Sequence, residues 1–224
     1  MSRPGWCLQR LDDVPGGDEW LTHRERTVQA GLVVAKRRAD WRLGRFTAKR
    51  LVASTLACDV DAIEVVATDE GAPAVLVGGR PSRARLSISH RDGRSVATLS
   101  TDATAVGCDL ELAEPRSEAF VREWLDDRER AALAVNPLPP SLVVNLLWTG
   151  KEAAAKALGG GLRLDVRGFV VCPGQGEPVD GWRPLRVECS SEGRVLTGWW
   201  REEGDDVLTI VADPPPDLPR RVEL

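Results

Sequence analysis

"LLWTGKEAAAKALGG", residues 146–160, combines an alanine-rich segment with apolar flanks. Trp148, Glu152 and Lys156 are spaced four residues apart, so on a helix they share one side. By itself the Glu152–Lys156 pair is typical of a solvated helix surface. The apolar flanks are instead typical of a buried helix. A buried helix that carries a carboxylate and an ammonium is a candidate for a functional site.

The composition is that of a soluble globular protein, with 42% hydrophobic and 29% charged residues in a chain of 224. A net charge of −4 argues against broad nucleic-acid binding. The five cysteines are dispersed without C-x-x-C spacing, which favours free thiols in a reducing compartment. The chain starts without a signal-peptide pattern and lacks a long apolar run. We therefore expect a cytoplasmic protein with no membrane partner.

The hydrophobic patterning predicts an α+β fold in which each half has helices followed by strands. Helices are predicted over 18–35, 37–57 and up to Leu158, with two short helices in 117–135 that break near Asp126–Asp127. Strands are predicted over 5–13, 62–67, within 69–81, as a hairpin over 84–100, over 104–112, and as four runs in the last third of the chain. The last dozen residues are predicted to be loosely ordered.

Two helical stretches have the same spacing of an aromatic and two charged side chains. Trp41–Arg45–Lys49 and Trp148–Glu152–Lys156 match, each with a leucine two residues later. The match is compatible with an internal duplication, and equally with two ordinary amphipathic helices.

The stretch "VGCDLE", residues 106–111, places two carboxylates on one face of a strand. Asp109 and Glu111 alternate with Cys108 and Leu110, which should face the core. Paired carboxylates suit Mg²⁺, which binds through carboxylates, waters and substrate phosphates. The alternative is a solvated strand surface. Glu152 would add a third carboxylate.

Two further stretches could bind an anion. In "SISHRDG", Ser89 and His90 end a strand beside a turn, where they could donate hydrogen bonds to a phosphate; an exposed histidine without a role is the alternative. In the basic stretch 35–50, Arg45 and Lys49 lie on the Trp41 side of the helix and could bind an anionic ligand. Other basic residues there are expected to be solvated.

Together, "VGCDLE" and the later "WTGKEAAAK" resemble the signature of the phosphopantetheinyl transferases. That signature is G-x-D, then W/F-S/T/C-x-K-E-A/S-x-x-K, and every defined position is filled here. The stretches "WRLGRFTAK", "EGAP" and "SISH" resemble the larger, Sfp-type branch rather than the short trimeric synthases. The resemblance covers about residues 36–170.

The resemblance implies a pseudo-twofold pair of similar α+β subdomains. Residues 1–103 would form an N-terminal half with elements that bind coenzyme A, 104–212 a C-terminal half with the metal and catalytic motifs, and 213–224 a tail. It also implies an Mg²⁺-dependent enzyme, with Mn²⁺ as the alternative metal. Such an enzyme transfers the 4′-phosphopantetheine arm of coenzyme A to a serine of an apo acyl or peptidyl carrier protein and releases adenosine 3′,5′-bisphosphate. The branch serves fatty-acid, polyketide and nonribosomal-peptide carriers, including those of secondary metabolism, and is usually monomeric.

The resemblance also implies a role for each matched residue. Asp109, Glu111 and Glu152 would hold the metal; Glu152 would activate the serine and Lys156 would stabilise charge on the diphosphate; Ser89, His90, Arg45, Lys49 and Lys156 would contact coenzyme A. One position departs from the pattern, because Ala72 stands where the family often has a basic residue. Arg80 or Arg83 is a candidate to replace that charge.

Two other functions are compatible with the same residues. A degenerate member of the family would bind coenzyme A or a carrier protein without catalysis. An unrelated Mg²⁺ phosphohydrolase could share the carboxylates by coincidence. The intact set of Asp109, Glu111, Glu152 and Lys156 favours the transferase.

Overall fold

The computed structural model describes residues 3–160 and 163–224, and within them it confirms the mixed α+β class. The helices are α1 (His23–Ala30), α2 (Ala35–Leu56), α3 (Glu118–Trp124), α4 (Asp127–Ala134) and α5 (Pro140–Ala157). The strands are β1 (Gly5–Arg10), β2 (Ile63–Ala67), β3 (Pro73–Val77), β4 (Arg80–Pro81), β5 (Arg85–Arg91), β6 (Arg94–Ser100), β7 (Ala105–Leu112), β8 (Phe169–Pro173), β9 (Arg183–Cys189), β10 (Arg194–Glu203), β11 (Asp206–Asp213) and β12 (Arg220–Arg221). The predicted division at residue 103 stays a prediction.

The strands form three sheets with the orders β12-β1-β6-β5, β7-β11-β10-β9-β8 and β2-β3-β4. The predicted hairpin is β5–β6, whose turn places Asp92 and Gly93 at φ of 47° and 69°. Such a turn matches the twist of the strands it joins. The edge strands β5 and β7 lie against each other, and the backbone N–H of Cys108 donates a hydrogen bond to Ser87 Oγ at 3.0 Å. The first two sheets therefore meet along β5 and β7.

Helix α5 packs closely on strand β7, and small residues make this approach possible. Ala153, Ala154 and Ala155 are buried. A Cβ atom on Gly107 would lie 2.0 Å from the carbonyl oxygen of Ala153 and 2.5 Å from the backbone nitrogen of Ala157. Only glycine fits at position 107, because these neighbours are backbone atoms of the helix. The close packing brings the charged residues of α5 next to the carboxylates of β7.

A buried ion pair joins α2 to α1 and β2. Lys49 Nζ lies 2.9 Å from Glu25 Oε2, and the two side chains are 0% and 2% exposed. Glu25 also closes the capping box of α1, since its Oε2 accepts from the backbone N–H of Thr22 at 3.0 Å. Its Oε1 accepts from the backbone N–H of Val65 in β2 at 3.0 Å. One carboxylate thus connects three elements.

A second buried pair, between α5 and α4, has the same bonding. Lys151 Nζ lies 2.7 Å from Glu129 Oε2, and the two side chains are 0% and 1% exposed. Glu129 closes the capping box of α4 by accepting from the backbone N–H of Asp126 at 2.8 Å. Its Oε1 accepts from the backbone N–H of Val171 in β8 at 2.8 Å. The break predicted near Asp126 is therefore the N-cap of α4.

This correspondence corrects the register of the internal repeat. The spacing of aromatic and charged residues aligns Lys49 with Lys156. The structure instead places Lys49 of α2 and Lys151 of α5 in the same bonded arrangement. The sequence spacing was misleading because any amphipathic helix repeats its charges every three or four residues.

The prediction of a loosely ordered C-terminal tail is wrong at its end. Strand β12 pairs in parallel with β1, with Arg220 opposite Gly5. The backbone N–H of Val222 donates to the carbonyl of Trp6 at 2.8 Å, and the Val222 side chain is buried. The proline-rich approach to this strand has no regular pattern, so the pairing could not be read from local sequence.

We expect Lys49→Met to lower the free energy of unfolding by about 3–5 kcal/mol, because it leaves the Glu25 carboxylate buried without its cation. Urea denaturation measures the change. The matched control is Lys36→Met, at a lysine whose side chain is 79% exposed; its effect should stay below about 1 kcal/mol. Equal effects of the two substitutions would contradict a stabilising role for the buried pair.

Candidate active site

The junction of β5 and β7 brings together a hydroxyl, a carboxylate and an ammonium. Ser89 Oγ donates a hydrogen bond to Asp109 Oδ1 at 2.7 Å. Lys156 Nζ, from α5, donates to the same oxygen at 2.7 Å and to the carbonyl of Cys108 at 3.1 Å. Asp109 therefore connects β5 to α5 across the two sheets. Cys108 is buried in the core, as predicted from the alternation of β7.

The charges on Lys156 and Glu152 are set by burial and by the neighbouring carboxylates. Burial has the largest single effect and opposes the ammonium of Lys156, but the charges of Asp109, Cys108 and Glu152 together with the hydrogen bond to Asp109 outweigh it, so the pKa of Lys156 is raised. The pKa of Glu152 is also raised, first by burial and then by the negative charges of Asp109 and Glu111. Glu152 is therefore a carboxylate that holds a proton more readily than usual, as a general base needs.

Glu111 is held by two arginines. Its Oε2 lies 2.7 Å from Arg116 Nη2 and 3.3 Å from Arg91 Nε. Arg116 is itself fixed by a hydrogen bond from its Nε to Asn145 Oδ1 at 2.7 Å. Sequence reasoning missed both arginines. Arg91 lies inside "SISHRDG" and could have been singled out there, whereas Arg116 belongs to no motif and its orientation depends on Asn145, which is 29 residues away in the chain.

The chemistry of these carboxylates fits a hard divalent cation. Asp109 Oδ2 is buried and has no hydrogen-bond partner, and an unpaired buried carboxylate oxygen is costly unless a cation satisfies it. Across the described parts of the chain, no side chain bonds to the Glu152 carboxylate. The mutual repulsion that raises the pKa of Glu152 would be relieved by a shared cation.

The three carboxylates are not assembled as a finished metal centre. Among residues 3–160 and 163–224, no group of three or more histidine, cysteine, aspartate or glutamate side chains is arranged to hold a metal ion. Lys156 forms an ion pair with Asp109 Oδ1, and Arg116 and Arg91 form ion pairs with Glu111 Oε2. These protein cations balance the negative charge in the arrangement shown.

Arg45 and His90 line a cavity of about 250 Å³ beside this junction, together with Trp41 and Ile88. The guanidinium of Arg45 lies over the Trp41 ring at 4.8 Å, and its Nη1 donates to the carbonyl of Val65 at 2.7 Å. His90 lies at the end of β5 with its side chain accessible to solvent, and its pKa is lowered chiefly because neighbouring protein atoms partly desolvate the ring. The structure thus places both residues where a ligand could reach them.

The structure contradicts the prediction that Lys49 contacts a ligand. Its side chain is 0% exposed and its ammonium is taken by Glu25 and by the carbonyl of Trp20 at 2.5 Å. Lys49 was singled out because it lies on the same side of the helix as Trp41, but at position 49 that side of the helix faces the protein interior. Lys49 instead links α2 to α1 through its buried ion pair with Glu25.

Residues 105–181 match the family model of the 4′-phosphopantetheinyl transferase superfamily. The matched segment covers less than half of the chain and contains Asp109, Glu111, Glu152 and Lys156. The solved structure of the holo-(acyl-carrier-protein) synthase (AcpS) of Thermotoga maritima is similar over 55% of this chain and 74% of that chain, with 20% sequence identity and a TM-score of 0.36.

The comparison with curated proteins gave no match. Within the described ranges, none of the helices has the length and apolar character needed to span a membrane.

We expect Glu152→Gln to stabilise the protein in a pH-dependent way when a chelator is present. The folded-state pKa of Glu152 lies above its unfolded value of 4.5, so the wild type loses stability relative to the variant as pH rises through that folded-state pKa. Thermal unfolding should show similar melting temperatures at low pH and a higher one for the variant at about pH 8, by about 2–4 °C for each kcal/mol.

The matched control is Glu118→Gln, at a side chain that is 96% exposed. It should change the melting temperature little at any pH, because an exposed ion pair contributes at most about 1 kcal/mol. A difference between wild type and Glu152→Gln that stays constant with pH would contradict electrostatic strain at this site.

Proposed function

We propose that this protein transfers the 4′-phosphopantetheine arm of coenzyme A to a serine of an apo carrier protein. The observation that carries the proposal is the content of the matched segment, since residues 105–181 include the four acidic and basic residues of the site. The fold supports it, because Ser89 from the other half bonds to Asp109 at the same junction. A diphosphate ester and a hydroxyl nucleophile need charge neutralisation and alignment, and this junction offers both.

Asp109, Glu111 and Glu152 would hold Mg²⁺ or Mn²⁺. When bound, the cation would neutralise charge on the diphosphate of coenzyme A. The unpaired Oδ2 of Asp109 supports this assignment. Arg91 and Arg116 would remain as partners that orient Glu111.

The protein's own side chains account for the proton and the charge. The serine oxygen of the carrier forms a bond to the β-phosphorus of coenzyme A, and the bond from that phosphorus to the bridging oxygen breaks. Glu152 accepts the serine proton, directly or through a water, as a general base. Lys156 neutralises the oxygen that leaves with adenosine 3′,5′-bisphosphate. Ser89, His90 and Arg45 contact coenzyme A.

The finer assignment follows the sequence resemblance. We assign the chain to the Sfp-type branch and expect a cytoplasmic monomer whose partners are acyl or peptidyl carrier domains, including those of polyketide and nonribosomal-peptide synthesis. "WRLGRFTAK", "EGAP" and "SISH" support the branch, and they lie outside the segment that matches the family model.

Mass spectrometry of apo carrier proteins tests the proposal. Incubation with coenzyme A, Mg²⁺ and the protein should add one phosphopantetheine to the carrier serine. Glu152→Gln should reduce the rate by about 10²-fold or more, because general-base catalysis typically contributes that much. Glu118→Gln, on an exposed helix surface, should react like the wild type.

The same experiment separates the competing functions. No mass gain with fatty-acid, polyketide or peptide carriers would overturn the proposal. Binding of coenzyme A in calorimetry without transfer would identify a degenerate member of the family. Cleavage of coenzyme A in the absence of any carrier would identify a phosphohydrolase.

Metal binding can be measured independently of activity. Titration with Mn²⁺ in the presence of coenzyme A, followed by electron paramagnetic resonance, should show binding to the wild type. Asp109→Asn should weaken it by about tenfold or more, the range seen when the surroundings of a metal site are damaged. Glu118→Gln again serves as the control. Equal affinity in wild type and Asp109→Asn would remove Asp109 from the metal site.

A further inference from the structure

A second cavity, of about 340 Å³, lies beside Lys156 at the junction of the two halves. Ala72, Pro73 and Ile88 line it from the N-terminal half, and Lys156 and Arg163 line it from the C-terminal half. Glu70 and several small or apolar residues complete the lining. The cavity is therefore bounded by two basic side chains, Lys156 in the last turn of α5 and Arg163 in the segment that follows the helix.

The guanidinium of Arg163 is available to a ligand. Its Nη2 donates a hydrogen bond to the carbonyl oxygen of Asp69 at 2.7 Å, next in the chain to the cavity-lining Glu70. Among the described residues, no carboxylate lies within ion-pair distance of Arg163, and its side chain is exposed. A guanidinium has five N–H donors in a planar fork, so most of its donors remain free.

The two cavities adjoin each other. Gly71, Pro73 and Ile88 line both the cavity of Arg45 and His90 and the cavity of Lys156 and Arg163. A ligand that follows this cleft meets basic side chains at each end and apolar walls between them. Coenzyme A has this character, with a diphosphate and a separate 3′-phosphate.

Building on the proposed function, we propose that Arg163 binds a phosphate group of coenzyme A and supplies the positive charge that Ala72 cannot. Ala72 and Arg163 line the same cavity, so a cation on either side of it can reach the same ligand. Arg80 and Arg83, the candidates from the sequence, line neither cavity. The positive charge of this cavity is thus provided by Arg163, which follows α5, and not by the segment that contains Ala72.

Steady-state kinetics and calorimetry test this role. Arg163→Ala should raise the KM and the Kd for coenzyme A by about tenfold, equivalent to about 1.4 kcal/mol, while kcat stays within a few-fold of wild type. The matched control Arg80→Ala, at an exposed arginine, should leave KM unchanged. The double variant Ala72→Lys/Arg163→Ala should recover most of the lost affinity, because it returns a cation to the cavity.

Dephospho-coenzyme A, which lacks the 3′-phosphate, identifies the phosphate. If Arg163 binds the 3′-phosphate, Arg163→Ala and wild type should bind dephospho-coenzyme A equally. If it binds the diphosphate, the tenfold difference should persist. Both results support a phosphate contact and assign it.

A merely structural role gives a different result. Loss of the bond to Asp69 alone would lower the melting temperature, change kcat and KM together, and not be rescued by Ala72→Lys. That pattern, or a KM and Kd within twofold of wild type, would overturn the inference. If the wild type transfers nothing to any carrier, the proposed function fails, whereas the calorimetric comparison of coenzyme A binding still decides the role of Arg163.

Discussion

The buried lysine–glutamate pair, formed by Lys49 with Glu25 and again by Lys151 with Glu129, is the interaction on which the rest of the structure depends. An ion pair without solvent is tolerated only when its remaining hydrogen-bonding capacity is satisfied. Glu25 and Glu129 meet this condition by capping a helix and bonding a strand with the same carboxylate. Each pair thereby fixes the long helix, a short helix and an edge of a sheet relative to one another.

The position of α5 then determines the site. Lys151 anchors the helix from the side that faces β8, and the alanines following it allow contact with Gly107 of β7. Glu152 and Lys156 are consequently brought to Asp109. Lys151 and Glu152 are adjacent on this helix but differ in environment. The Lys151 side chain is buried in the core, whereas Glu152 is only partly buried and borders the junction of β5 and β7.

The site brings together charged groups whose proximity is unfavourable for the stability of the fold. Asp109 keeps one oxygen unpaired, and the pKa of Glu152 is raised by burial and by its acidic neighbours. Such strain is tolerated where a ligand relieves it. Ser89, His90 and Arg45 come from β5 and α2, whereas the carboxylates and Lys156 come from β7 and α5. Neither group has the full set of charges, so the arrangement depends on how β5 and β7 meet.

The sequence by itself determined the α+β class, the position of most elements, the hairpin β5–β6 and the likeness to the transferase signature, because these depend on local periodicity, turn chemistry and residue spacing. It singled out Asp109, Glu111, Glu152 and Lys156, and the structure brings Asp109 and Lys156 into contact. It misassigned Lys49, missed Arg116 and Arg163, and left the C-terminal strand unrecognised. Only the tertiary structure decided these, because burial of a side chain and contacts between residues far apart in the chain arise from packing and leave no local pattern.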